Sequence, residues 1–182
     1  MAVSEPAAHD IVLRAFGDAD VVAYRDLMLE AYADPPPGAV PAFTSSARER
    51  AALPLRWWRE RIAGRDGCGI GAFRGDAIVG AAALAVESKA RTAHKALVVG
   101  MYVRPGARGQ GVALRMLQAL TAQARGRGVR LLQLGVIEGN DAALSLYRRA
   151  GFEVFGREPM AVREGGRFHA TLHLWRRLDG GP

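Results

Sequence analysis

A mixed α/β sheet covered by helices is the fold class this chain predicts, and three observations carry it. With 182 residues, 49% of them hydrophobic, the chain is long enough for one domain with a sizeable core. Two apolar runs, Cys68 to Phe73 and Ala77 to Val86, are separated only by Arg74, Gly75 and Asp76, the pattern of an antiparallel hairpin. From Ala96 onward, signals for strand, helix, strand, helix and strand alternate, the order of a sheet with helices packed against it.

Residues 1–10 read as a flexible lead, 11–176 as a single domain and 177–182 as a tail. Ile11 to Ala15 is a short strand. Asp18 or Asp20 caps a helix whose apolar positions Val21, Tyr24, Leu27, Met28, Ala31 and Tyr32 recur at helical spacing, with Pro35, Pro36 and Pro37 ending it. Ser46 and Glu49 have capping-box spacing. Leu53, Trp57, Trp58 and Ile62 mark a second helical region, which Pro54 restarts and Gly64 stops. Packing on the sheet accounts for the tryptophans.

After the hairpin, Glu87 to Lys95 is a charged connection and Ala96 to Val103 a long strand. Gly109 to Arg127 reads as a helix with Ala113, Met116, Leu117, Leu120 and Ala124 along one stripe, ended by Gly126 and Gly128. Leu131 to Ile137 is nearly continuously apolar, as for a strand buried on both faces. Asn140 or Asp141 caps a helix carrying Ala143, Leu146, Tyr147 and Ala150, and Gly151 stops it. Phe152 to Arg157 and Phe168 to Trp175 are the last strands, joined in part through Gly165 and Gly166.

The net charge is +7, and all but two of the 25 basic residues are arginines, the exceptions being Lys89 and Lys95. The arginines form no long run and interleave with no aromatic pattern, so attraction for an anionic cofactor explains the charge better than nucleic-acid binding, which is not expected. One cysteine, Cys68, excludes an intramolecular disulfide. The first ten residues hold Glu5, Pro6, His9 and Asp10 instead of a basic segment followed by an apolar one. No apolar run approaches the roughly 18 residues of a spanning helix. The expectation is a cytoplasmic protein with no membrane contact and no metal.

The run Leu97 to Leu114, LVVGMYVRPGARGQGVAL, changes from an apolar strand to glycine and arginine and then to a helix. At a helix start the first N–H groups lack intrahelical partners and the macrodipole favours an anion, so such a turn suits phosphate oxygens. Gly109 and Gly111 remove side chains that would hold a pyrophosphate away, and Arg104 and Arg108 add charge at the mouth. Neither a P-loop pattern nor a dinucleotide-fold glycine triplet is present.

Arg108, Gly109, Gln110, Gly111, Val112 and Ala113 fit the R/Q-x-x-G-x-G/A signature of the GNAT superfamily, the acyl-coenzyme A dependent N-acetyltransferases. The resemblance continues into N-x-x-A-x-x-L-Y-x-x-x-G-F, here Asn140, Ala143, Leu146, Tyr147, Gly151 and Phe152. It implies the GNAT fold from residue 11 to about 176: a mostly antiparallel sheet with divergent central strands, flanked by helices. It also implies acetyl-CoA as co-substrate. Met101 and Val103 would pair with its pantetheine arm, Arg108 to Ala113 would contact pyrophosphate, and Asn140 would bond near the pantetheine end.

The function implied is acetyl transfer from acetyl-CoA to a primary amine, by direct attack in a ternary complex, with Tyr147 as general acid to the leaving thiolate. A backbone N–H near Met101 or Tyr102 would meet the oxyanion. The base is open among Glu30, Glu87, His94, Glu138 and a pocket water. The acceptor is open among a small metabolite, a peptide N-terminus and a lysine. A non-catalytic coenzyme A-binding or sensor module is the alternative.

Pro41 to Ser46, PAFTSS, followed by the tryptophan-bearing helix, resembles a group of bacterial GNAT proteins labelled ribosomal-protein-type acetyltransferases. Those relatives are expected to carry an acidic pair near the last strand. This chain has His169 and Ala170 there, and His169 is read as a surface residue. A homodimer through the C-terminal strands, with Phe168, Leu172, Leu174 and Trp175, is a further expectation.

Overall fold

The computed structural model describes residues 11–33 and 40–179. The expected lead at 1–10, the end of the tail and the helix stop at Pro35 to Pro37 lie outside the described residues. Seven strands form one sheet: β1 (Ile11–Ala15), β2 (Gly67–Arg74), β3 (Ala77–Val86), β4 (Lys95–Val103), β5 (Leu131–Ile137), β6 (Glu153–Glu164) and β7 (Arg167–Arg177). Their order is β1-β2-β3-β4-β5-β7-β6. Only β4 and β5 run parallel; every other neighbouring pair is antiparallel.

The helices cover both faces of that sheet. On one face, α1 (Val21–Ala31) and α3 (Leu55–Ala63) bury Tyr24, Leu27, Met28, Trp58 and Ile62 against Phe73, Ile78, Ala81 and Ala83. Between them, α2 (Ala47–Ala51) starts at Ser46, whose hydroxyl accepts from the Glu49 N–H while the Glu49 carboxylate accepts from the Ser46 N–H, a reciprocal cap. Pro54 and Gly64 bound α3, as their backbone chemistry predicts. Trp58 is fully buried, so the packing role expected for it holds.

On the other face, α4 (Val112–Gly126) and α5 (Asp141–Arg149) pack on Ile70, Ala72, Val79, Ala82, Leu84, Ala96 and Val98. Met116, Leu117 and Leu120 of α4 are fully buried, each contributing about 1.5–3 kcal/mol of transfer free energy. Alternation along β2 and β3 sends successive side chains to opposite faces, which is how two apolar clusters share these strands.

Three expectations need correction. The α4 helix begins at Val112, not at Gly109, because Gly109 and Gly111 hold left-handed φ values of +75° and +70° that a helix cannot include. The β5 strand is not buried on both faces: Leu132, Leu134 and Val136 are buried, Gln133 is partly covered and Gly135 is exposed. The closing hairpin is longer than expected, β6 reaching Glu164 and β7 reaching Arg177 through a turn at Gly165 and Gly166. It ends the sheet with Phe155, Met160 and Phe168 exposed, whereas Leu174 is fully buried.

Candidate active site

The parallel pair β4 and β5 is joined only at its start, where Lys95, Ala96 and Leu97 register with Leu131, Leu132 and Gln133. Beyond Leu97 the strands have no partner positions on each other, so their edges splay. On its other side β4 carries a bulge. Ala81 pairs with Tyr102 and Ala83 with Val99, which leaves Gly100 and Met101 without register partners on β3. Gly100 takes a φ of +61°, and a Cβ there would meet the Tyr24 hydroxyl at 3.2 Å.

Two cavities open from this splay. A slot of about 300 Å³ lies between Val98–Met101 of β4 and Gly135–Ile137 of β5, closed by Asn140 and Tyr147 of the α5 region and by Tyr32, Phe43, Thr44, Arg50 and Arg61 from the N-terminal half. A larger groove of about 700 Å³ runs past Met101, Val103, Arg108, Gly109, Gly111, Val112 and Ala113. Ala42, Met101, Asn140, Ala143 and Leu146 line both, so slot and groove are continuous.

Of the site residues expected from sequence, these two cavities bring together all but Gln110. That side chain turns back to donate to the Gly106 carbonyl at 3.3 Å. The first α-helical bond of α4 runs from the Arg115 N–H to the Gly111 carbonyl at 3.1 Å, so the amides of Val112, Ala113 and Leu114 have no intrahelical acceptor. Cβ atoms at Gly109 and Gly111 would meet nothing within 4 Å, which keeps the approach to those amides open. The groove thus fits a diphosphate: free donors, a favourable dipole and no obstructing side chain.

Two arginines behave differently from one another. Arg108 stays in the groove, its Nε donating to the Val103 carbonyl at 2.9 Å, so that carbonyl is already engaged within the protein. Arg104 does not join the mouth: it donates to Glu30 at 2.9 Å and to the Ile78 carbonyl at 2.8 Å.

Asn140 caps α5, its Oδ1 accepting from the Ala143 N–H at 3.2 Å. Tyr147, about two turns further on, is buried edge-to-face against Phe152 at 5.8 Å between ring centroids. Burial pushes its phenol above the ordinary tyrosine range, so it stays protonated.

None of the proposed bases lines either cavity. Glu30 accepts from both Tyr102, at 3.0 Å, and Arg104. Glu138 is bound to Arg157, whose guanidinium holds its carboxyl below the usual range. Glu87 and His94 lie at the opposite end of β4 from the bulge, where the Glu87 N–H donates to Lys95 and the His94 carbonyl accepts from Arg130 and Leu131. His169 is partly buried on β7, opposite Val162, so the surface reading does not hold in full.

The groove, whose glycine pattern is local, was visible in the sequence; the slot's Tyr32, Arg50, Arg61 and Thr171 were not. They come from four separate elements and carry no motif. No group of three or more His, Cys, Asp or Glu able to hold a metal occurs among the described residues, and no described helix is long and apolar enough to cross a membrane.

The chain is similar to several known proteins. An L-methionine sulfoximine/L-methionine sulfone acetyltransferase of Pseudomonas aeruginosa is 38% identical over 79 residues. That match covers 43% of this chain and 46% of the relative, so the chain aligns with about half the length of its curated relative. A ribosomal-protein-alanine N-acetyltransferase from Brucella melitensis superposes with a TM-score of 0.74 at 25% identity, over 92% of this chain and 99% of that one. A GNAT superfamily phosphinothricin acetyltransferase from Sinorhizobium meliloti, solved with acetyl-CoA, gives a TM-score of 0.75 at 22% identity, over 94% and 90%, and shows the fold. The model of the acetyltransferase (GNAT) family matches residues 25–152, most of the chain, including the groove and all of the slot but Thr171, and the chain therefore belongs to that family.

Proposed function

We propose that this chain is an acyltransferase that moves an acetyl group from acetyl-CoA to a primary amine by direct attack in a ternary complex. The observation that carries this reading is the continuity of the phosphate-suited groove with the slot at Met101, Asn140, Ala143 and Leu146. Bound acetyl-CoA supplies an activated thioester carbonyl. The open amides of Val112 to Leu114 and the exposed backbone of β4 would hold it, with its sulfur toward Tyr147.

The amine nitrogen then attacks the carbonyl carbon, a C–N bond forms and the C–S bond breaks. A backbone N–H at the Met101 bulge meets the developing oxyanion. Tyr147 gives its proton to the departing thiolate and recovers one from solvent. The amine proton passes to a slot water, because no carboxylate or histidine among the described residues lines either cavity.

Tyr147→Phe tests the acid. It is expected to lower kcat by about a hundredfold or more, within the usual range for losing a general acid, while coenzyme A affinity stays within about twofold. Turnover equal to the parent, under conditions where chemistry limits the rate, rejects the role. Tight coenzyme binding without thiol release across a wide amine panel would instead identify a sensor module. The same proposal places the protein in the cytoplasm as one domain over 11–176, and admits a homodimer through the hairpin that exposes Phe155, Met160 and Phe168.

A further inference from the structure

The slot carries positive charge with no counter-charge among the described residues that line it. Arg50 and Arg61 both line it, and no Asp or Glu among the described residues does. Neither arginine takes part in any ion pair among the described residues. Their guanidiniums are fixed by aromatic rings instead: Cζ of Arg50 lies 4.8 Å, and that of Arg61 5.0 Å, from the centre of the Trp57 ring. Arg50 is also 5.2 Å from the Tyr32 ring, and its Nε is buried with no hydrogen-bond partner.

Partly desolvated guanidiniums without a counter-ion are unfavourable, and two directed at one ring repel each other. An anion between them removes both penalties. The Trp57 ring holds both guanidiniums, and the Tyr24 hydroxyl also bonds that of Arg61; a guanidinium has five N–H donors, so donors remain on each to grip a carboxylate in a two-bond fork. The slot, at about 300 Å³, is at the small end of ligand sites and must also admit the thioester. That leaves room for a molecule of amino-acid size.

We propose that the acceptor is a small primary amine bearing a carboxylate, such as a free α-amino acid, with its carboxylate on Arg50 and Arg61 and its nitrogen toward Met101 and Tyr147. This rests on the reading that the slot admits the acceptor. Arg50 and Arg61 act here as binding and specificity residues, and the carboxylate takes no part in bond making or breaking.

The test is equilibrium binding to the coenzyme A complex of the full chain, independent of turnover. The twenty amino acids, their decarboxylated amines where these exist, and an alanyl peptide amide are titrated by calorimetry, with tryptophan fluorescence followed because Trp57 carries both guanidiniums. At least one amino acid is expected to bind about tenfold or more tightly than its decarboxylated amine, the usual scale for a charge-assisted contact. Arg50→Gln and Arg61→Gln are each expected to shrink that preference with coenzyme A affinity kept, and Arg61→Lys to restore part of it.

Equal binding of acid and amine, preference for the peptide amide, absence of binding by the whole panel, or a preference that survives both glutamine variants overturns the proposal. Amino acids that bind as expected but release no thiol would leave the carboxylate site standing and defeat acetyl transfer.

Discussion

Gly100→Ala puts the bulge at the centre of the site under direct test. Gly100 has a φ of +61°, where an L side chain costs roughly 1–2 kcal/mol. The added methyl would also stand 3.2 Å from the Tyr24 hydroxyl. Tyr24 cannot easily retreat: it is almost fully buried, with the Phe16 ring centroid at 5.3 Å and that of Trp58 at 5.9 Å. Overpacking of this kind adds about 1 kcal/mol. The sum, about 2–3 kcal/mol, corresponds to a fall in Tm of roughly 4–12 °C for a domain of this size.

Gly75→Ala is the control, since its φ of +56° carries the same backbone cost but its Cβ would meet nothing within 4 Å. Thermal melts followed by circular dichroism give the stability of each variant, and thiol release gives turnover. Gly100→Ala is expected to melt below Gly75→Ala and to lose turnover at a temperature where both are folded, because in the proposed mechanism the bulge presents the Met101 amide to the oxyanion; Gly75→Ala should retain turnover. A Gly100→Ala protein that melts with the control and turns over like the parent would show that the bulge does not shape the site.

Gly111→Glu puts a carboxylate at the mouth of the groove, and coenzyme A affinity is expected to fall by about a hundredfold, roughly 2.7 kcal/mol, by calorimetry. Stability should fall only by the left-handed backbone cost, since an acidic side chain suits a helix N-terminus; unchanged coenzyme affinity would refute the groove assignment. With no acidic or histidine side chain among the described residues of the slot, kcat/KM should rise with pH until the acceptor amine is neutral, and should track that amine's own pKa across acceptors. A fixed ascending limb shared by all acceptors would instead reveal an enzymic base.

The Arg177 guanidinium, helped by Arg130, holds the Asp179 carboxyl down at about 2. The unfolded carboxyl titrates near about 3.9, so its stabilising effect is complete above that pH and is lost as the pH falls toward 2. Asp179→Asn should therefore lower Tm at pH 6 by an amount that shrinks between pH 4 and 2; a constant difference over that window would reject the pairing.

Local patterns were legible wherever the physics is local. The capping pair Ser46 and Glu49, the Arg74 to Asp76 turn and the stripe of Met116, Leu117 and Leu120 all depend on contacts within a few residues, and each appears where its spacing predicts. The α4 start was misjudged by three residues because glycine is compatible with both a helix and the left-handed loop that precedes this one. The continuous apolar text of β5 concealed an open stretch, since the exposed Gly135 borders a gap that exists only once β4 and β5 diverge.

The sequence alone determined the donor side of this protein. Glycines at 109 and 111, followed by a helix, make a phosphate-suited turn within one short stretch of backbone, and the motif around Asn140 and Tyr147 completes the family resemblance. Only the tertiary structure decided the slot. Tyr32, Arg50, Arg61 and Thr171 meet across the C-terminal end of α1, α2, α3 and β7, and on a helix an arginine of the slot has the same local pattern as one facing water. Folding also drew Arg104 and Glu30 into a pair and left Arg50 and Arg61 without one among the described residues, a distinction set by distances between elements and therefore absent from residue spacing.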